Sequence, residues 1–150
     1  MRSTLLYERG ERTFAVVFDK DDDVLRDLTA FAQTQRLSAS HFTAIGAFSE
    51  VTLGYFDRER KSYRKIVIAE QVEVLSLIGD VALEGGEPKV HAHVVVGKSD
   101  GTAHGGHLLQ AKVWPTLELV LEESPVHLRR RMDLASGLAL IDIERGRAAA

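Results

Sequence analysis

Apolar positions change their period along this chain. Residues 13–18 read Thr-Phe-Ala-Val-Val-Phe, a β-branched and aromatic run that predicts a strand. An acidic stretch follows, Asp19-Lys20-Asp21-Asp22-Asp23, and behind it Val24, Leu25, Leu28, Phe31 and Ala32 recur at helical spacing. This predicts a helix from about residue 22 to 35, with the aspartates capping its free N–H groups and matching the positive end of its dipole. After Leu37 every candidate element is a strand: 41–48, 51–56, 63–69, 72–78, 90–96, 106–113, 117–123 and 138–144. Turn signals separate them at Gly79-Asp80, Gly85-Gly86-Glu87-Pro88, Ser99-Asp100-Gly101 and Ser124-Pro125. Strand follows strand through short links, so the expected fold class is α+β: a mostly antiparallel sheet with one main helix. With 150 residues and no linker or repeat, a single domain over 1–150 is expected, its core at about 10–145 and a frayed tail at 145–150.

Composition narrows the chemistry. There is no cysteine, which excludes disulfides, thiolate metal sites and a cysteine nucleophile. Any metal must use His, Asp or Glu. Nineteen basic against 22 acidic residues give a net charge of −3, a poor balance for a small domain that binds nucleic acid by itself. No apolar run is long enough for a membrane span or a signal peptide, so the expected location is the cytoplasm. The acidic stretch lacks the alternating ligands and the Gly of an EF-hand calcium loop.

Four of the six histidines fall within 17 residues, in His91-Ala92-His93 and His104-Gly105-Gly106-His107. On a strand, residues i and i+2 share a face, so His91 and His93 project together. The link 97–102 suits a hairpin that returns strand 106–113 beside strand 90–96, bringing His107 toward them. Three neutral imidazoles from two adjacent strands form an N3 set suited to zinc, with iron or manganese as alternatives, and leave positions open for water or a ligand. The competing reading is three surface histidines, each packed or hydrogen-bonded separately. His104, in the connection, is left out of the set; His41 and His127 are isolated and read as structural.

Two carboxylates stand in apolar strands. Glu73 in Val72-Glu73-Val74-Leu75 is a candidate metal ligand, general base or hydrogen-bond partner of a ligating histidine; the alternative is a hydrated carboxylate on the solvent face. Glu118 is a weaker candidate of the same kind. Two basic runs, Arg58 to Lys65 and Arg129-Arg130-Arg131, can meet phosphate but read first as solvated loops. No phosphate-binding glycine loop and no serine-nucleophile motif is present.

Three segments together resemble one family. These are Gly46-Ala47-Phe48-Ser49-Glu50-Val51-Thr52-Leu53-Gly54-Tyr55-Phe56, Val72-Glu73-Val74-Leu75-Ser76-Leu77-Ile78-Gly79, and the stretch HAHVVVGKSDGTAHGGHLL from His91 to Leu109. They are similar to the plants-and-prokaryotes-conserved (PPC) domain over roughly residues 10–145. The resemblance implies an antiparallel sheet with one main helix, assembled as a homotrimer. It places His91, His93 and His107 on the family's three histidine positions and Glu73 on its glutamate, and it leaves His104 out. In plants the domain follows AT-hooks that bind DNA. This chain has only Arg145-Gly146-Arg147, followed by Ala148 where a hook has Pro, so DNA binding is expected to be weak or absent. The plant-type Gly-Arg-Phe-Glu motif is replaced by Glu70-Gln71-Val72-Glu73. The leading expectation is a cytoplasmic homotrimer with a three-histidine metal site near a subunit boundary, which binds a small anionic ligand or activates water. The alternative is a non-enzymatic module that contacts DNA or a regulatory partner.

Overall fold

The computed structural model describes residues 1–8, 10–124 and 128–143, with side chains left out at 6–8. The expected tail at 145–150, His127 and Pro125 of the expected Ser-Pro turn lie outside the described residues.

Among the elements of the described residues one is a helix, α1 (Val24–Thr34), and it starts where the aspartates predict. Asp23 is its N-cap and accepts from the Arg26 N–H at 3.1 Å, while Asp27 reaches back to the Asp23 N–H at 2.9 Å. Its apolar face buries Val24, Leu28, Phe31 and Ala32 in the core. Each of the larger of these contributes about 1.5–3 kcal/mol relative to exposure.

The strands are β1 (Arg2–Glu8), β2 (Arg12–Phe18), β3 (Ala39–Asp57), β4 (Ser62–Ile68), β5 (Val72–Glu84), β6 (Glu87–Gly97), β7 (Ala103–Glu123), β8 (Arg130–Asp133) and β9 (Leu138–Ile141). The first seven form one antiparallel sheet in the order β1-β2-β7-β6-β5-β3-β4, and β8 and β9 form a separate hairpin. A further β3–β7 pairing folds the sheet round on itself, so β5, β6, β7 and β3 make a closed ring. Inward residues of this ring, among them Phe42, Phe48, Leu53, Leu77, Val94 and Leu108, pack with α1 in one core.

Several expected boundaries move. The separate strands 41–48 and 51–56 are one long strand, and so are 106–113 and 117–123. Each long strand carries register shifts that bend it between two sets of partners. Gly79-Asp80 is not a turn but the middle of β5. Gly79 is glycine there because a Cβ would run into the Phe42 ring and the His91 carbonyl. The strand expected at 138–144 ends at Ile141. The segments β1 and β8 were not expected as strands; the first is an edge strand with one partner, and the second falls on the arginine run.

Candidate metal centre

Alternation along β6 turns Ala92, Val94 and Val96 into the core and leaves His91 and His93 on the outer face. The β6–β7 register sets His93 directly opposite His107, so the third imidazole arrives by strand pairing. The three rings stand in a near-equilateral triangle, with centroid separations of 5.1, 5.1 and 5.2 Å. One nitrogen from each ring lies within 4.8 Å of the other two.

The triangle is supported from two sides. On one side β4 delivers Tyr63, whose ring stacks on His107 with centroids 4.7 Å apart and planes 25° apart. Gly54 lies opposite His107 in the register, and a Cβ there would come within 2.7 Å of Tyr63 Cδ1. Glycine at this position lets the ring down onto the imidazole. On the other side β5 places Asp80 opposite His91, with Asp80 Oδ2 3.4 Å from His91 Nδ1. Arg130 of β8 donates from Nη2 to Asp80 Oδ1, and the same Nη2 lies 3.4 Å from His91 Nδ1. The Arg130 side chain is only 8% exposed.

These surroundings set the charge state. Burial, followed by the charges of His91 and His93, pushes the His107 imidazole down to about 4. Burial and then His91 lower His93 as well. Burial alone would raise the Asp80 carboxyl, but hydrogen bonds from His91 and Arg130 and the guanidinium charge hold it below the usual carboxylate range. At neutral pH His93 and His107 are therefore neutral and keep lone pairs, as a cation requires. His107 Nδ1 is buried and has no hydrogen-bond partner among the described residues. An orphaned imidazole nitrogen in a cluster of three fits a divalent ion, and an all-imidazole set suits zinc, iron or manganese better than calcium or magnesium.

Other expected residues lie elsewhere. Glu73 is exposed and paired with Gly97, four residues along β6 from His93, or about 13 Å at strand rise. It lies outside the histidine group. Glu118, paired with Val17 and Ile45, is exposed on another part of the sheet. His104 is exposed, with Nε2 3.4 Å from Thr102 Oγ1, and is not among the three. His41 makes a surface contact with Glu122 at 3.2 Å. In the basic segment at 58–65, residues 58–61 form an exposed turn between β3 and β4, the solvated loop expected there. The second run is not a solvated loop: Arg130 is buried against Asp80, and Arg131 pairs with Asp142 at 3.3 Å. Sequence reading missed Asp80 and Arg130. Alternation through 129–131 was the available signal, since a strand there must turn one arginine away from its neighbours.

The chain matches the Plants and Prokaryotes Conserved (PCC) domain over residues 6–125. It is 32% identical over 126 residues to the bifunctional protein GlmU of Synechococcus sp. (strain JA-3-3Ab), a match over 82% of this chain and 19% of that protein. The chain thus spans about a fifth of the length of this relative. A protein of Bacteroides thetaiotaomicron, described as a candidate DNA-binding protein, superposes with a TM-score of 0.85 at 26% identity, covering 95% of this chain and 99% of the other. The metal-containing protein AF0104 of Archaeoglobus fulgidus superposes with a TM-score of 0.80 at 36% identity, over 87% of this chain and 92% of its own.

Proposed function

The chain belongs to the Plants and Prokaryotes Conserved (PCC) domain family, and from that premise we propose that it is a homotrimeric domain holding one divalent metal ion, zinc by donor chemistry, on His91, His93 and His107. One observation carries this reading: three imidazole nitrogens within 4.8 Å of one another, delivered by strand register. The orphaned Nδ1 of His107 and the metal-containing Archaeoglobus relative support it. An ion held there supplies Lewis acidity for a bound ligand or water. The chain's own residues hold and orient: Asp80 fixes the His91 ring, and Tyr63 covers His107.

Assembly rests on an exposed apolar face. Ile45, Leu75, Ile78 and Val120 line one shallow depression and are 44–63% exposed. Ile78 is the cross-strand partner of His93, so copies packed on this face would put the histidines near a subunit boundary. Three-fold contacts are heterologous and close as a ring. Within its own subunit Glu73 lies too far from the histidines to act on them.

Protein purified without a histidine tag tests both parts. Light scattering with metal analysis on the same fractions is expected to give about three chain masses and one ion per chain. A concentration-independent monomer would overturn the trimer. Preparations that hold no metal and take up no zinc, iron or manganese would overturn the metal site. A second reading, a DNA-associated module, draws on the exposed basic hairpin and the Bacteroides relative. With net charge −3, duplex DNA is expected to bind no tighter than about 10 μM at physiological salt. Sub-micromolar, sequence-dependent binding would favour that module.

A further inference from the structure

His91 and His107 also form part of the wall of a cavity of about 210 Å³. Its other polar walls are Tyr63, Glu84, Lys89 and Arg130; the rest is Val90 and the segment 138–140 of β9. The β8–β9 hairpin that supplies Arg130 and this apolar wall is anchored at both ends. Leu83 N–H donates to the Leu128 carbonyl at 2.8 Å, and Lys61 Nζ donates to the Leu134 carbonyl at 2.9 Å. The cavity is therefore built from six strands, β4 to β9, and no single loop defines it.

Arg130 is the informative residue. Its guanidinium is buried, with Nη2 on Asp80 and Nη1 donating to the Ala139 carbonyl at 3.1 Å. Its Nε is sealed from solvent, so any N–H left for a ligand is the second hydrogen of Nη1 or Nη2. A buried guanidinium with a donor left over is unfavourable unless something else accepts from it. Lys89 and Tyr63 add two more donors to the same walls, against the single carboxylate of Glu84. Donors on one side and an apolar wall on the other suit a ligand with both an anionic and an apolar end. A dianion such as phosphate gains nothing from Val90 and Leu138–Leu140 and must shed a larger hydration shell beside Glu84.

We propose that this cavity binds a small organic carboxylate. Its carboxylate is held by Arg130 with Lys89 and Tyr63, and its short apolar chain lies against Val90 and the β9 wall. The site adjoins the histidine triangle, with His91 and His107 forming part of both.

Isobutyrate titrated into tag-free full-length protein, followed by NMR with and without zinc, tests this. The expected result is saturable binding in both states, with inorganic phosphate weaker by about tenfold or more. Lys89→Ala is expected to weaken isobutyrate several-fold. Leu140→Glu places a negative charge on the cavity wall at a residue already 46% exposed, so the fold survives and binding falls by at least about tenfold. No saturable isobutyrate binding in either state would overturn the proposal, as would phosphate binding as tightly as isobutyrate, or Leu140→Glu binding like wild type. Because the metal-free arm does not depend on zinc uptake, a failed metal site and a failed carboxylate site give different results.

Discussion

The two ends of the β5–β6 pair are built from similar materials and behave differently. Toward the hairpin end, in mid-strand, stand Asp80, His91 and His93; at the far end stand Glu73 and Gly97, with Lys98 just beyond. Both carry charged or titratable groups on the outer face of the same two strands. At the histidine end, neighbours cover those groups: Tyr63 from β4, His107 from β7 and Arg130 from β8. Coverage removes water, lowers His107 and His93, and leaves donors and lone pairs that need partners. At the other end Glu73 stays in water, and the Lys98–Glu70 pair, 2.6 Å apart with side chains 27% and 47% exposed, is a surface ion pair of small consequence. Face and alternation are therefore not enough to make a site; a second layer of structure over the face is needed.

The largest expected effect lies at the covered end. Replacing His91 or His107 with Ala removes one of three ligands and should strip most of the metal, read as ions per chain in fractions of matched trimer; His104→Ala should leave occupancy unchanged. Near-normal occupancy in His107→Ala would break the contrast between the two ends. Next comes the support beneath the ligands. Asp80→Asn keeps the shape but weakens the hold on the His91 ring, and zinc affinity by competition with a chromophoric chelator should fall about 10–100-fold. An unchanged affinity would show that His91 needs no orienting carboxylate.

Acid should act on the covered end of the metal-free protein in a definite window. His107 has a folded value of about 4, below the ordinary imidazole value of 6.5. The unfolded chain therefore binds the extra proton between these values, and stability is lost as pH falls from about 6.5 toward 4. Urea midpoints across that range should show the loss, and His107→Phe should flatten it; a wild-type midpoint independent of pH would contradict the burial of this imidazole. The smallest effects belong to the exposed end. Glu73→Gln should leave zinc affinity within about twofold, because a surface change away from such features is nearly neutral. A tenfold fall would instead place Glu73 of a neighbouring copy at the histidines and sharpen the account of the trimer.

The histidine set was legible because two simple rules locate it: i and i+2 share a strand face, and a short hairpin returns the chain beside itself. The helix was legible from its apolar spacing and its aspartates. What escaped depended on distant packing. Gly79-Asp80 has the composition of a turn, yet the Phe42 ring and the His91 backbone require a bare backbone there, and Asp80 consequently lies in mid-strand opposite His91. Arg130 sits in a run of three arginines, and only its pairing in β8 and the acid opposite it turn it inward. The bends of β3 and β7 read as breaks because each long strand changes partners midway. Glu73, on an apolar-looking strand, could be placed on a face but not told apart from a covered carboxylate.

The most direct test is a crystal structure of the tag-free protein with anomalous data collected at the zinc and iron absorption edges. A three-histidine metal site gives one peak per chain within bonding distance of His91, His93 and His107, about 2.0–2.1 Å from each nitrogen for zinc. A map from zinc-soaked crystals with no peak among the three rings, or with its metal held elsewhere, would contradict it.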